Sequence, residues 1–448
     1  MTLPTVIEEA RSIPIIDEAD LCVLGGSCTG VFAAVRAARL GARVVVVERM
    51  GSFGGVATLS LVNVWHSPQD EVFERTIIGG LTVEVMERLK RRHAVKETLR
   101  SPHWRWSFNP FELQIELDEL IQENRVRPWL HTAFAAPWVK DGQLGGVFVE
   151  NKSGRGLIKA RQFIDATGDG DLCFRLGVPT FYNGRFQPAT TCALLEGWPT
   201  QGFDIQPLIR DHGRAFGLPP GFQWGAHVPG TQAFMLAGTR VQQADCSQAE
   251  QFTAAEIEGR RQVRATLDLV RKHAPQVSLN LIGLPARIGI RESRHVRSGY
   301  NLTGDDVLHG RRFPDAIANG SYRVDIHYQD KPGLTFRYLD GRESYITPGN
   351  PAEEGRWRPV TAENPTFYQI PYRSMVPDAP YPNLLMAGRM IDADEAAHGA
   401  IRVMVNMNQT GEAAGVAAVL ALDGKTSVAE LNTELLRGKL AEGGSVII

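Results

Sequence analysis

The stretch from Asp20 to Glu48 constrains the fold more than any other part of this 448-residue chain. It opens with the apolar run Leu21-Cys22-Val23-Leu24, turns through Gly25-Gly26-Ser27-Cys28-Thr29-Gly30, and closes on Val44-Val45-Val46-Val47-Glu48. Short apolar runs bounded by turn residues suit strands buried on both faces. Between them, Val31-Phe32-Ala33-Ala34-Val35-Arg36-Ala37-Ala38-Arg39-Leu40 is built of residues small enough for a helix lying close on a sheet. Gly41 is placed to cap it. Strand, glycine turn, helix and strand within about 30 residues make a βαβ unit. An α/β fold with a parallel sheet follows.

The glycine turn also carries chemistry. A dinucleotide fingerprint reads G-x-G-x-x-G, for a tight turn, backbone approach to a pyrophosphate and close helix–strand contact. Gly25 and Gly30 fit, and Ser27 stands where the second glycine belongs. A serine is small, and its hydroxyl is able to donate to phosphate. The helix beginning here presents free N–H groups and a positive dipole end. Glu48, eighteen residues beyond Gly30, ends the second strand where a carboxylate accepts from both ribose hydroxyls. A rival reading takes Gly25-Gly26-Ser27-Cys28-Thr29 as a hydrolase nucleophile elbow, G-x-S-x-G. Its fifth position is Thr29, and such an elbow has no use for Glu48.

Further along, residues 70–125 read as mostly helical, including Phe111 to Glu123, broken by Trp104-Arg105-Trp106. Residues 127–164 read as short strands around the hairpin signal Asp141-Gly142. The region 186–365 is rich in Gly, Pro and aromatics, with one clear helix near Ala249 to Lys272. After Pro371, the strand-like Asn383 to Ala387 leads into a small-residue helix at Gly411 to Leu422. The expected layout is a Rossmann-type domain from residues 18–185 and 366–448. A smaller α+β substrate domain is inserted at 186–365, and residues 1–17 form an N-terminal arm.

Two later loops separate a flavin dinucleotide from a nicotinamide one. Phe163-Ile164-Asp165-Ala166-Thr167-Gly168-Asp169-Gly170-Asp171 and Leu384-Leu385-Met386-Ala387-Gly388-Arg389 each run a strand into a glycine turn. FAD, being long, needs backbone contacts along its ribityl chain and ring from distant sequence. Taken alone, either loop also reads as a plain strand-to-helix turn. Together with Val23 to Arg49, Gly54-Gly55-Val56-Ala57-Thr58, Gly289-Ile290-Arg291-Glu292-Ser293-Arg294, Tyr368-Gln369-Ile370-Pro371-Tyr372-Arg373 and Asn383 to Ala418, they give a nearly chain-long likeness. The chain resembles the FAD-dependent oxidoreductase family of two-dinucleotide-binding-domain flavoproteins.

That resemblance implies FAD as cofactor and redox chemistry. By position, Gly25, Gly26, Ser27, Thr29 and Gly30 meet the pyrophosphate, and Glu48 with Arg49 the adenosine side. Gly54, Gly55 and Val56 lie along the diphosphate and ribityl, while Gly388 and Arg389 approach the ribityl end and the ring. Phe134, Ala166, Thr167 and Gly168 complete the implied cofactor contacts. Ser27 departs from the family's glycine. Nothing requires the flavin to be covalently attached through His66 or a cysteine, and noncovalent FAD is expected.

For the substrate side, His398-Gly399-Ala400-Ile401-Arg402 is similar to the His-Gly-x-Asn-Arg stretch of succinate dehydrogenase and fumarate reductase flavoproteins. There the arginine holds a substrate carboxylate; here Ile401 replaces Asn, and Val403-Met404 replaces Leu-Gly. An arginine fork suits an anion and an imidazole suits proton transfer. The structural alternative is a buried His398 with Arg402 paired to an acid such as Asp394. Arg291, Arg294 and His66 are the other candidates for catalysis. The expected reaction is hydride transfer from a small polar or anionic substrate to flavin N5, or reduction of an activated double bond. A flavin-dependent hydroxylase and a noncatalytic FAD-binding redox partner or sensor are the alternatives. No second G-x-G-x-x-G is present, so oxygen or a separate electron acceptor is expected to reoxidise the flavin.

Composition narrows the partners. Lys+Arg 48 against Asp+Glu 50 leaves a formal net charge of −2, which argues against nucleic acid. No apolar run approaches the roughly 18 residues of a membrane span, and no signal segment is read at the start. A cytoplasmic protein, with homo-oligomerisation open, is expected. Five scattered cysteines without a C-x-x-C pair, and no H-E-x-x-H, argue against a disulfide framework or a metal site.

Overall fold

The computed structural model describes residues 4–98, 105–184 and 186–448. Its central sheet grows from the βαβ unit. Strand β1 (Ile15–Leu24) leads into helix α1 (Cys28–Arg39), and β2 (Val44–Val47) pairs parallel with β1, Leu24 opposite Val47. All four β2 valines and the last four residues of β1 are buried, as an unbroken apolar run demands. After α1, Gly41 adopts φ +92° beyond the Leu40 cap, its N–H bonded to Ala38 O, and so closes the helix.

Beyond β2 come β3 (Val64–His66), α2 (Gly80–Arg91), β4 (Val95–Thr98), β5 (Arg105–Phe108) and α3 (Pro110–Glu123). The stretch expected to be mostly helical therefore contains a small sheet, ordered β3-β5-β4. Trp106 and Phe108 are buried in β5, and this cross-strand packing overrides the helical pattern of the flanks. Trp104 falls outside the described residues. Next are β6 (Arg127–Trp129), β7 (Ala133–Lys140), β8 (Gln143–Asn151) and β9 (Gly154–Asp165). The Asp141-Gly142 turn joins β7 to β8, both residues at positive φ, as the hairpin signal predicts.

The twelve-residue β9 does two jobs. Its length runs parallel to β1 from Leu157 to Asp165. Its other edge is shared between antiparallel β8 near the start and, at residues 163–165, a parallel strand Leu384–Met386 from the far end of the chain. The sheet order β6-β2-β1-β9 thus continues past β9 along a single edge, into the meander at the start of that strand and into the C-terminal segment at its end. Strand β1 is longer than its apolar run because its first half pairs with β9 outside the Rossmann core.

The C-terminal segment locks onto α1 through glycines. Helix Met404–Gly424 lies against α1, and a Cβ at Gly411 or Gly415 would stand 2.1 Å from Thr29 O or 2.2 Å from Ala33 O. The i, i+4 pair brings two backbones into contact along one face. Between the halves, a four-stranded antiparallel sheet with order 224–227, 234–237, 192–196, 280–283 is covered by helix Ala249–His273, with its own apolar core. A second four-stranded sheet runs through 324–327, 334–337, 342–346 and 353–356. Val324 and Ile326 of its first strand belong to the main core. Among the described residues, no helix is long and apolar enough to cross a membrane.

Candidate active site

Three loops meet at the carboxyl ends of the parallel strands, where open α/β sheets bind ligands. Gly25 has φ +104°, and a Cβ there would lie 2.3 Å from Ala166 O, so only glycine lets the first loop touch the Ala166-Thr167-Gly168 turn. A Cβ at Gly30 would be 1.9 Å from Gly25 O. Ser27 caps α1, its Oγ accepting from Gly30 N at 3.4 Å. That contact makes it a helix cap and not the activated hydroxyl of a nucleophile elbow. Thr29 sits buried in the first turn of α1, and Gly54 donates to Gly26 O at 2.8 Å, bringing Gly54, Gly55 and half-buried Val56 alongside.

Glu48 lies at the end of β2, 8% exposed. It accepts from Gly26 N at 2.7 Å and Met50 N at 2.8 Å. A carboxylate has about four lone-pair sites, so two remain for ribose hydroxyls. Arg49 extends over the Phe252 ring at 5.6 Å, and Arg287 over the same ring at 5.2 Å. Phe134 is half-buried on β7. In the second turn, buried Asp165 accepts from Thr167 N, Thr167 Oγ1 and Cys173 N, at 3.1, 2.7 and 3.0 Å. Gly388, φ +116°, donates to Thr410 Oγ1 at 3.2 Å, and Arg389 pairs with Asp169. Asp169 also accepts from Ser293 Oγ at 2.6 Å and Arg287 at 3.3 Å. Burial pushes that carboxyl up, but Arg389 and Arg287 outweigh it and hold it below its usual range.

These residues fit FAD. A twelve-residue helix offers its free N-terminal N–H groups, there is no room for a Cβ at Gly25 in the turn leading to it or at Gly30 in its first turn, and a buried carboxylate ends the next strand.

Beyond Gly388 lies a second, polar cluster. Asp394 caps helix Glu395–Ile401, accepting from Ala397 N at 2.8 Å, so it is not the partner of Arg402. Arg402, at that helix's end, donates to Asp325 Oδ2 at 2.9 Å. Tyr322 donates to the same oxygen at 3.0 Å, and His327 Nε2 stands 3.1 Å from Oδ1. Burial raises the Asp325 carboxyl, yet His327 and Arg402 bring it well below its usual value. Arg240 meets His327 Nδ1 at 2.7 Å. A guanidinium only donates, so Nδ1 accepts and the His327 proton sits on Nε2, toward Asp325. Burial lowers His327 to about 3, in keeping with a neutral ring.

His398 is 1% exposed; its Nε2 donates to Arg291 O at 3.1 Å, and its Nδ1 has no partner among the described residues. Burial pulls it to about 3, so it is a neutral imidazole. Among the described residues, Arg291 itself bonds only neutral acceptors, Pro188 O at 2.5 Å and Thr190 Oγ1. Removal from water, with Arg402 and Arg240 nearby, lowers it to about 9. His66 ends β3 against the Tyr322 ring, centroids 4.1 Å apart, and burial lowers it to about 3. Arg294 differs: its guanidinium lies 3.9 Å over Phe174 and 3.7 Å from Asp171, toward the second glycine turn.

Four of the five catalytic candidates, His398, Arg402, Arg291 and His66, therefore border one network, and Arg294 does not. Sequence reasoning missed Asp325, His327, Arg240 and Tyr322. The signal was present in Val324-Asp325-Ile326-His327, where alternation puts Asp325 and His327 on one face of a strand.

A 162-residue segment is 30% identical to mitochondrial dihydrolipoyl dehydrogenase of Schizosaccharomyces pombe, covering 34% of this chain and 28% of that one. The chain thus spans less than a third of that relative's length. Among solved structures, it is similar to a geranylgeranyl bacteriochlorophyll reductase-like protein from Thermoplasma acidophilum. That match has TM-score 0.47 and 11% identity over 95% of this chain and 84% of that one. It is also similar to p-nitrophenol 4-monooxygenase of Pseudomonas putida DLL-E4, with TM-score 0.45 and 9% identity over 95% and 84%. The family model described as FAD dependent oxidoreductase matches residues 20–440. With that match over the loops just described, the chain belongs to the FAD-dependent oxidoreductase family, and FAD is its cofactor.

Proposed function

We propose that this protein uses FAD to dehydrogenate a small organic anion, or to run the reverse reduction of an activated double bond. The observation that supports this reading is an excess of buried positive charge. Arg240, Arg291 and Arg402 gather around one carboxylate, Asp325, and among the described residues Arg291 forms no ion pair of its own. An unbalanced charge held away from water is costly, and a substrate carboxylate relieves it. Among the described residues, Arg402 Nε and Arg240 Nε are buried N–H groups with no partner.

The arginines fix the substrate's anionic end, and Asp325 with Tyr322 holds Arg402 in place. His66, His327 and His398 are neutral, so they surround the substrate with hydrogen-bonding groups that add no further charge. FAD, when bound, supplies the redox step by accepting or returning a hydride. Oxygen or a separate carrier then reoxidises it.

An anaerobic screen of short carboxylates, following the flavin band near ~450 nm, tests this. Bleaching by a carboxylate in the absence of NAD(P)H supports the reading. Reduction by NAD(P)H alone, coupled to oxygen insertion into an added substrate, would instead identify a hydroxylase. FAD that no compound reduces or reoxidises would mark a noncatalytic partner.

A further inference from the structure

Glu292, His295 and His398 form a buried triad that meets the anion site only through His398, whose Nε2 faces Arg291 O. One ligand atom from each lies within 4.8 Å of the other two, and all three residues are no more than 2% exposed. Each imidazole has one nitrogen committed to a backbone carbonyl. His295 Nδ1 faces Ile391 O at 3.1 Å, and His398 Nε2 faces Arg291 O at 3.1 Å. A carbonyl only accepts, so each ring places a proton there and turns its other nitrogen free.

The free nitrogens meet a carboxylate. His295 Nε2 stands 3.2 Å from Glu292 Oε1, while Glu292 Oε2 is anchored by Gln187 N at 2.9 Å. Among the described residues, His398 Nδ1 is buried with no hydrogen-bond partner. Asn183 Nδ2 lies 3.3 Å from both Glu292 Oε1 and His295 Nε2 and donates to Ala393 O at 3.1 Å; it has no bond to His398. A proton shared by His295 and Glu292 would satisfy those two and still leave His398 Nδ1 orphaned, a state that costs about 1–3 kcal/mol.

One cation satisfies all three at once. Two ligands about 2.1 Å from a shared ion in tetrahedral geometry stand roughly 3.4 Å apart, close to the Glu292–His295 spacing. The outer contacts are those of metal-binding histidines, whose second nitrogen characteristically donates to a carbonyl or carboxylate and so fixes the ligating tautomer. We propose that Glu292 Oε1, His295 Nε2 and His398 Nδ1 bind a divalent first-row transition-metal ion such as Zn²⁺ or Fe²⁺. Two imidazoles and one carboxylate leave open coordination positions, where water or a substrate oxygen is bound.

Because the triad is buried, the ion is supplied during expression, in medium carrying zinc, iron or manganese in turn. Metal is then counted in the purified FAD-loaded protein by plasma mass spectrometry. All preparations carry His212→Ala, which removes the stacked His212–His273 pair, rings 3.8 Å apart, as a second zinc-binding position. The expected result is about one ion per chain in the parent and less than about a tenth of that in Glu292→Gln and His398→Ala. Far-UV circular dichroism and FAD content confirm that the variants fold, and near-isosteric Glu292→Gln decides if His398→Ala does not. A parent protein free of all three metals overturns the site. So does equal metal content in the parent and Glu292→Gln. Neither readout depends on the substrate.

Discussion

Arg402 donates to Asp325 Oδ2 at 2.9 Å across 77 residues of sequence, tying the end of helix Glu395–Ile401 to strand Val324–His327. Asp325 also takes Tyr322 and faces His327, so one carboxylate organises groups from two distant segments. The arginine is held by this acid and still keeps a buried Nε–H without a partner among the described residues.

Arg402→Ala is accordingly expected to weaken binding of a substrate anion by about tenfold to a hundredfold, since a hydrogen bond to a charged group is worth roughly 1.5–3 kcal/mol. KM rises, and kcat falls only so far as the reacting carbon is displaced. FAD content, read from the visible spectrum, stays unchanged. Arg402→Lys recovers part of the loss, because an ammonium keeps the charge without the fork.

Glu48→Ala is expected to reduce FAD affinity by about tenfold to a hundredfold, from the loss of a charged acceptor for the ribose. It also strands Gly26 N and Met50 N, which Glu48 now receives at 2.7 and 2.8 Å, so the glycine loop loosens. Fluorescence titration of the apoprotein with FAD measures this. Unchanged affinity would place the ribose elsewhere.

Much of this was legible in the sequence. The βαβ unit, the glycine loops and Glu48 lie close together along the chain and follow local rules of strand, turn and cap. Legibility failed where contact is long-range. Asp325 was not singled out in the sequence, and Asp394 was the acid offered as a partner for Arg402, until the fold brought strand Val324–His327 under the helix. His295 and His398 are 103 residues apart, so no metal-type spacing announced them. The small sheet of β3, β4 and β5 was hidden because Trp106 and Phe108 find their partners only in tertiary packing.

At the contact between α1 and helix Met404–Gly424, Gly415→Ala is expected to destabilise by about 1–3 kcal/mol, the usual cost of overpacking. Its Cβ would lie 2.2 Å from the Ala33 carbonyl oxygen, and two backbones have to separate. Thermal denaturation at fixed FAD concentration reads the loss. Wild-type stability would mean that the helices part without cost.

Stability should also respond to pH through Glu412. This residue is 1% exposed, 3.7 Å from Arg36, and burial raises its carboxyl to about 7. The unfolded chain releases this proton near pH ~4.3, while the folded chain keeps it until about 7. The folded state therefore binds more protons in that window, and stability falls as pH rises through it. Glu412→Gln lacks the titration. Its stability relative to wild type is expected to improve by up to roughly 3 kcal/mol between pH ~4.5 and ~7.5, then level off. Parallel denaturant curves for the two proteins at each pH check the sign.

Whether buried arginines receive an anion beside the flavin is tested most directly by titrating FAD-loaded protein with malonate and, separately, with its uncharged diamide. The flavin difference spectrum is the readout, with a panel of other short carboxylates run alongside. The predicted result is a saturable spectral shift with carboxylates, little or none with the diamide, and binding about tenfold to a hundredfold weaker in Arg402→Ala. Equal responses to malonate and diamide, or carboxylate binding that is untouched in Arg402→Ala, would contradict it.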